Sequence, residues 1–181
     1  MMQWSYDTLL KWGTDELTAH DVENASLDAW YLLEHIYGIS RVDFLMRRSD
    51  RFDAAQMEKS TAYQALIRQR SEGCPVQYLT GSTEFMGLPF FVNEHVLIPR
   101  QDTEVLVETA LSMMKPGCRL LDMCTGSGCI VLRLAKLGTV TWGIGADISE
   151  EALKVAERNR DNLGLSQVKL VHSDLFASVE G

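Results

Sequence analysis

Across residues 4–73 apolar side chains recur at helical intervals, with no proline and only two glycines, Gly13 and Gly38, before Gly73. Unbroken helical periodicity of this kind predicts a small helical domain over residues 1–73. Its most regular stretch is 26–37, where Ser26 can cap and Leu27, Trp30, Tyr31, Leu33, Ile36 and Tyr37 form a broad apolar face closed by Gly38. Further helices are expected over 42–46 and 54–70, the second burying Met57, Tyr63, Leu66 and Ile67.

The texture changes over residues 74–100, which Pro75, Gly81, Gly87, Pro89 and Pro99 punctuate. Glu84-Phe85-Met86 and Phe90-Phe91-Val92 flank Gly87-Leu88-Pro89, a pattern that predicts a β-hairpin within a segment linking two domains. From residue 101 to 181 helical and strand patterns alternate. A helix over 102–114 carries Val105, Leu106, Ala110 and Met113 on one face and stops before Pro116-Gly117. Leu120 and Leu121 lead into Asp122 as a short buried strand; then come a helix over 129–137, a strand over 140–146, a helix over 150–163 ended by Gly164, and a strand over 168–171. Strand, helix, strand, helix, strand predicts an α/β fold with a parallel, doubly wound sheet.

With 46% hydrophobic and 23% charged residues, the 181-residue chain falls outside disordered, collagenous and disulfide-scaffold classes. Its length fits one domain, or one small domain and part of another. A formal net charge of -8 repels a phosphate backbone, so direct nucleic-acid binding is not expected. Cys74, Cys118, Cys124 and Cys129 form no C-x-x-C pair and have no histidines beside them at ligand spacing; reduced structural thiols and no metal are expected. His20, His35, His95 and His172 form no general-base constellation. The start, Met1-Met2-Gln3-Trp4-Ser5-Tyr6-Asp7, has no basic or apolar leader pattern, and no run is long enough to span a bilayer; a cytosolic protein without membrane contact is expected.

The chemistry concentrates at strand ends. Asp122-Met-Cys124-Thr125-Gly126-Ser127-Gly128 lies where the first parallel strand meets its helix, the edge at which open α/β sheets bind ligands. Gly126 and Gly128 permit backbone angles and close ligand approach that side chains forbid. Asp147 closes the second strand, where a carboxylate can accept hydrogen bonds from both hydroxyls of a ribose. Two nucleoside cofactors suit that arrangement, a dinucleotide and S-adenosylmethionine. The dinucleotide fingerprint read from Gly126 needs Gly or Ala at Val131, and read from Cys124 it lacks its first glycine. S-adenosylmethionine has no pyrophosphate to accommodate, and Asp122 suits its charged amino-acid tail. At the third strand's end, Ser173-Asp174-Leu175-Phe176 offers Asp174 to an adenine amine and Leu175 to the ring face. The three strand ends together favour S-adenosylmethionine over NAD. The competing reading gives Asp147, Ile148 and Ser149 no role beyond capping the helix that starts at Glu150.

Asp122-Met-Cys-Thr-Gly-Ser-Gly-Cys-Ile130, Ala146-Asp-Ile-Ser149 and Ser173-Asp-Leu-Phe176 resemble the HemK/PrmC family of protein glutamine N5-methyltransferases. Pro75-Val-Gln-Tyr-Leu-Thr-Gly81, Glu84-Phe-Met-Gly87 and Val96-Leu-Ile-Pro-Arg-Gln-Asp-Thr-Glu104 are more specific, because the glycine loop is common to most class I methyltransferases and these runs are not. The resemblance covers essentially the whole chain. It implies an N-terminal helical bundle joined to the N-terminal part of a class I, Rossmann-like sheet. It also implies methyl transfer from S-adenosylmethionine to the glutamine amide nitrogen of the Gly-Gly-Gln motif in peptide chain release factors, with the helical domain recognising the release factor. Asp122, Cys124, Thr125, Gly126, Ser127, Gly128, Asp147, Ile148, Asp174 and Leu175 would line the cofactor site. Arg100, Thr103 and Glu104 either face the active-site cleft or serve as first-turn helix residues with Arg100 in a salt bridge.

Cys124 stands where glycine is usual, so the backbone must tolerate a small side chain there. The family's Asn-Pro-Pro-Tyr motif would follow a fourth strand, and Gly181 precedes it; the catalytic residues are therefore unknown and the 181 residues alone are expected to turn over little. Alternative readings are a ribosomal-protein glutamine methyltransferase, an adenine-N6 methyltransferase of nucleic acid, which the acidic balance disfavours, and a non-catalytic module binding S-adenosylmethionine or protein.

Overall fold

Helix α1 (Tyr6–Ala19) starts at a reciprocal cap: the Ser5 hydroxyl accepts from the Thr8 amide, and the Thr8 hydroxyl accepts from the Ser5 amide. The computed structural model describes residues 3–138 and 140–179. It divides the chain into two compact units between Thr80 and Gly81.

The first unit continues with α2 (Ala25–Tyr37), α3 (Arg41–Arg47), α4 (Ala54–Ser71) and the short α5 (Val76–Thr80). Leu9 and Leu17 of α1, Ala29, Leu32 and Leu33 of α2, and Tyr63 and Ile67 of α4 are fully buried together. At about 1.5–3 kcal/mol for each large apolar side chain removed from water, this cluster is the unit's main source of stability. Gly13 sits inside α1, where glycine ordinarily weakens a helix. A Cβ at Gly13 would lie 2.1 Å from the hydroxyl oxygen of Tyr63. The ring fills that space, and its hydroxyl donates to the Ala29 carbonyl at 3.2 Å.

The buried side of α2 differs from the expected face. The helix begins at Ala25 with Asn24 at the cap, so Ser26 lies within it and caps nothing. Its buried residues are Ala25, Asp28, Ala29, Trp30, Leu32 and Leu33, while Leu27 and Tyr31 stay 42% and 44% exposed. Contact with both α1 and α4 selects the side carrying the small Ala29, and the buried Asp28 on that side is matched by Arg70, whose Nε donates to Oδ2 at 2.7 Å. Such a pair is costly to break from one side because the other charge is left buried.

The second unit opens with a hairpin, β1 (Ser82–Phe85) and β2 (Leu88–Phe91). The turn is two residues, Met86 and Gly87, at φ +49° and +75°, not the expected Gly87-Leu88-Pro89. Two positive φ values match the right-handed twist of a tight hairpin, so Leu88 and Pro89 are freed to join β2, where Pro89 faces Glu84. Residues 74–100 thus contribute α5 to the first unit and the hairpin to the second.

The remaining elements are α6 (Gln101–Met113), β3 (Arg119–Met123), α7 (Cys129–Leu137), β4 (Trp142–Asp147), α8 (Glu150–Leu163) and β5 (Val168–His172). The three strands pair in parallel in the order β3-β4-β5, with Met123 opposite Ala146 and Asp147 opposite His172. Val131, Leu132 and Leu134 of α7 pack with Val107, Phe85, Phe90 and Val168 in one apolar cluster. Only Val107 of α6 is buried; Val105, Leu106 and Met113, expected on its core face, are more than half exposed because the helix meets α7 along the Val107 side. Leu121 is also 45% exposed, since neighbouring strand residues point to opposite faces and it is Leu120 that packs on the α7 cluster. Among the described residues no helix is long and apolar enough to cross a membrane, and no group of three acidic, cysteine or histidine residues could hold a metal. The leader reading at Met1-Met2 and the chain end at Gly181 lie outside the described residues.

Gly13→Ala measures the α1–α4 contact. Helix propensity favours alanine by about 1 kcal/mol, but overpacking a core costs roughly 1–3 kcal/mol, and the fully buried Tyr63 has no free space to retreat into. The expected result in urea denaturation is a lower midpoint; a raised one would contradict the packing.

Candidate cofactor site

The loop between β3 and α7 is held from below by strand β4. The Thr125 amide donates to the Ala146 carbonyl at 3.0 Å, and the Gly128 amide to the Thr125 carbonyl at 2.8 Å. The approach requires glycine in the strand: a Cβ at Gly145 would lie 2.8 Å from Thr125 Oγ1 and 2.9 Å from Leu170. Gly128, at φ +78°, caps α7 without a side chain, and a Cβ there would press on Leu132 at 3.0 Å and Ala156 at 3.3 Å. Gly126, at φ +55°, is different, because no atom of the described residues lies within 4 Å of where its Cβ would be. The space above it is open to a ligand.

Cys124 adopts φ +57° with its thiol exposed. A non-glycine residue in this left-handed region costs roughly 1–2 kcal/mol, which is the physical meaning of its departure from glycine. Cys129, by contrast, is buried at the start of α7, and burial pushes its thiol up to about 11, so it stays protonated at neutral pH.

Two acids frame the loop. Asp147, at the end of β4, accepts from the Gly126 amide through Oδ2 at 2.9 Å and from the Ser149 amide through Oδ1 at 3.0 Å. Each oxygen retains a further lone pair. The capping of α8 falls to Ser149, whose hydroxyl accepts from the Ala152 amide at 3.2 Å. Asp122 accepts from the Thr125 hydroxyl at 2.7 Å. Burial raises its carboxyl above the ordinary carboxylate value, opposed by the Thr125 hydroxyl and the Val131 amide and reinforced by the Asp147 charge. A carboxylate held at that cost gains from a cationic ligand.

At the third strand end the Ser173 amide donates to the Asp147 carbonyl at 2.9 Å, and the His172 ring nitrogen Nε2 pairs with the Ile148 carbonyl at 2.9 Å. Ser173 is buried; its hydroxyl donates to the Leu175 carbonyl at 2.7 Å and accepts from the Ser178 amide at 2.9 Å. This holds Leu175 at φ +47° with its side chain 60% exposed, and Ile148 is 63% exposed. Asp174 is exposed beside them. The residues from Asp122 to Gly128, Asp147, Ile148, Asp174 and Leu175 therefore occupy the carboxyl ends of three paired strands.

Arg100, Thr103 and Glu104 stand apart in role. Arg100 is the exposed cap residue of α6 and makes no side-chain cap bond, and the Thr103 amide donates to its carbonyl at 3.0 Å. Glu104 Oε1 accepts from the Met86 amide at 2.7 Å, tying α6 to the hairpin turn. Sequence reasoning did not single out Asn159 or Gly145, and gave Ser173 and His172 no role in holding the site. For Asn159 a signal existed: a polar residue continuing the buried series Ala152, Val155, Ala156 along α8.

The parallel sheet and the glycine loop at its carboxyl edge define the N-terminal part of a class I, Rossmann-like methyltransferase domain, and residues 114–180 match the family model of a methyltransferase domain. Residues 8–81 match the model of the PrmC N-terminal domain. Along these two stretches the chain resembles the HemK/PrmC family. It is 39% identical over 172 residues to a protein named release factor glutamine methyltransferase from Shewanella oneidensis, covering 94% of this chain and 58% of that one. Proteins of the same name from Rhodopirellula baltica and Leptospira interrogans are 38% and 40% identical, covering 98% and 95% of this chain and 61% of each relative. The chain thus spans about three-fifths of the length of these relatives.

Asp122→Asn tests the electrostatics. The carboxyl is raised in the folded state, so its contribution to stability is fully present below the unfolded value near pH 4 and is lost as pH rises through the higher folded value. The neutral amide should therefore melt at a higher temperature than wild type at pH 7, with the advantage vanishing near pH 4. A lower melting temperature at pH 7 would contradict the burial argument.

Proposed function

We propose that this chain is the N-terminal part of an S-adenosylmethionine-dependent methyltransferase that modifies the glutamine side-chain amide in the Gly-Gly-Gln motif of peptide chain release factors. The observation that carries the reading is the union, in one chain, of a PrmC-type helical unit with an open glycine loop bracketed by two acids. The loop speaks for the cofactor class, and the helical unit distinguishes the substrate from those of other methyltransferases. The Shewanella, Rhodopirellula and Leptospira relatives, matched over nearly the whole chain, support the same substrate. A release factor as partner makes the cytoplasm the expected location.

When bound, S-adenosylmethionine supplies an electrophilic methyl group on a sulfonium centre. The remaining work belongs to the residues. The spare lone pairs of Asp147 would accept the ribose hydroxyls while Gly126 and Ser149 keep the carboxylate oriented. Asp122 would take the cationic amino end, and that positive charge would draw its raised carboxyl back toward the ionised form. Exposed Ile148 and Leu175 offer apolar surface to the adenine ring, with Asp174 beside them for its amine. Cys124, Thr125, Ser127 and Gly128 supply the loop main chain. Glu104, bonded to Met86, supports the hairpin rather than the ligand. The groups that orient the acceptor amide are assigned to none of the 181 residues.

The test is incubation of the natural full-length protein with methyl-labelled S-adenosylmethionine and three acceptors: a release factor, the same factor with alanine replacing the Gly-Gly-Gln glutamine, and nucleic acid. Label should enter the first alone. Label in nucleic acid and not in the release factor would overturn the proposal.

A further inference from the structure

The geometry points to Asn159 as a positioning residue that joins the β1–β2 hairpin to the cofactor loop, so that the two respond to ligand as one body. This rests on the cofactor reading above. Asn159 is 1% exposed, on the inner side of α8. Its Oδ1 accepts from the Phe91 amide at 2.7 Å, and its Nδ2 donates to the Phe91 carbonyl at 3.0 Å. The side-chain amide thus pairs with the outer edge of β2 as another strand would. Nδ2 also donates to the Ser127 carbonyl at 2.9 Å, inside the glycine loop. Oδ1 accepts one bond and both Nδ2 hydrogens are used.

No smaller or differently charged residue reproduces this set. Aspartate keeps the acceptor but turns an anion toward two carbonyl oxygens; alanine leaves Phe91 and Ser127 without these partners in a buried place. The Ser127 carbonyl belongs to the peptide unit whose nitrogen is the Gly128 amide, which closes the loop on Thr125. Fixing that carbonyl fixes the peptide plane between the two residues, and with it the direction in which the loop presents its main chain. Arg158 adds a second tie to the same strand, its guanidinium 3.6 Å from the centre of the Phe91 ring.

Two measurements on the 181-residue chain test this, with S-adenosylhomocysteine as the probe. Calorimetry of Asn159→Ala, folded at the assay temperature, should show affinity at least about tenfold below wild type, the equivalent of one or two lost hydrogen bonds. Amide exchange on the wild-type chain, which requires no variant to fold, should show saturating ligand slowing the Phe91 and Gly126 amides by a common factor. That factor should exceed the one at the Leu165 amide, which bonds Arg160 at the far end of α8. A purely structural asparagine would leave Phe91 no more protected than Leu165. That result, or wild-type affinity in folded Asn159→Ala, would overturn the inference while leaving the cofactor reading intact. No binding to the wild-type chain would overturn both.

Discussion

The carboxylate of Asp147 is the point on which the second unit's chemistry turns. By accepting the Gly126 and Ser149 amides together, it binds the loop after β3 to the turn after β4. Its own carbonyl accepts the Ser173 amide at the end of β5. Three crossings of the sheet are thereby brought to one edge in fixed relation. None of this would hold without parallel pairing in register, and the loop could not come so close to β4 if Gly145 carried a side chain.

Several local costs surround this arrangement. Cys124 and Leu175 adopt positive φ, a conformation that side chains resist, and the partial burial of Asp122 raises its carboxyl. Each lies at a strand end, and two are held by neighbours: Asp122 by the Thr125 hydroxyl and the Leu175 turn by the Ser173 hydroxyl. Strain kept in place by part-buried hydrogen bonds marks a surface built for something other than stability. The first unit shows the opposite economy, with Gly13 placed to admit Tyr63 and Asp28 buried only where Arg70 meets it.

Much of the fold was legible in the chain because its signals were local. Helices over 129–137 and 150–163 have the bounds that apolar periodicity and flanking glycines predict, and Gly164 ends the second at φ +68°. The parallel pairing of β3, β4 and β5 follows from alternation of helix and strand. What was not legible depended on neighbours distant in sequence. The inner side of α2 is chosen by α1 and α4, and the hairpin turn moves to Met86-Gly87 because twist, not proline, decides it. At the site, the glycines and acids stood out as a sequence pattern, and the structure brings Asp122, the loop, Asp147 and the Asp174-Leu175 turn to one sheet edge. For Asn159 the sequence signals burial on α8 but not its partners, because its three side-chain bonds reach residues 32 and 68 positions away. Glu104 read either as a cleft residue or as a first-turn acid, and only the fold shows it meeting Met86.

The central claim is that this edge is made for an adenosine with a cationic tail rather than for a dinucleotide. Titration calorimetry of the 181-residue chain with S-adenosylhomocysteine and, separately, NAD tests it directly. The account predicts saturable binding of S-adenosylhomocysteine that Asp147→Ala removes, and no measurable heat from NAD at the same concentrations. Preferential binding of NAD, or undiminished S-adenosylhomocysteine binding in folded Asp147→Ala, would contradict it.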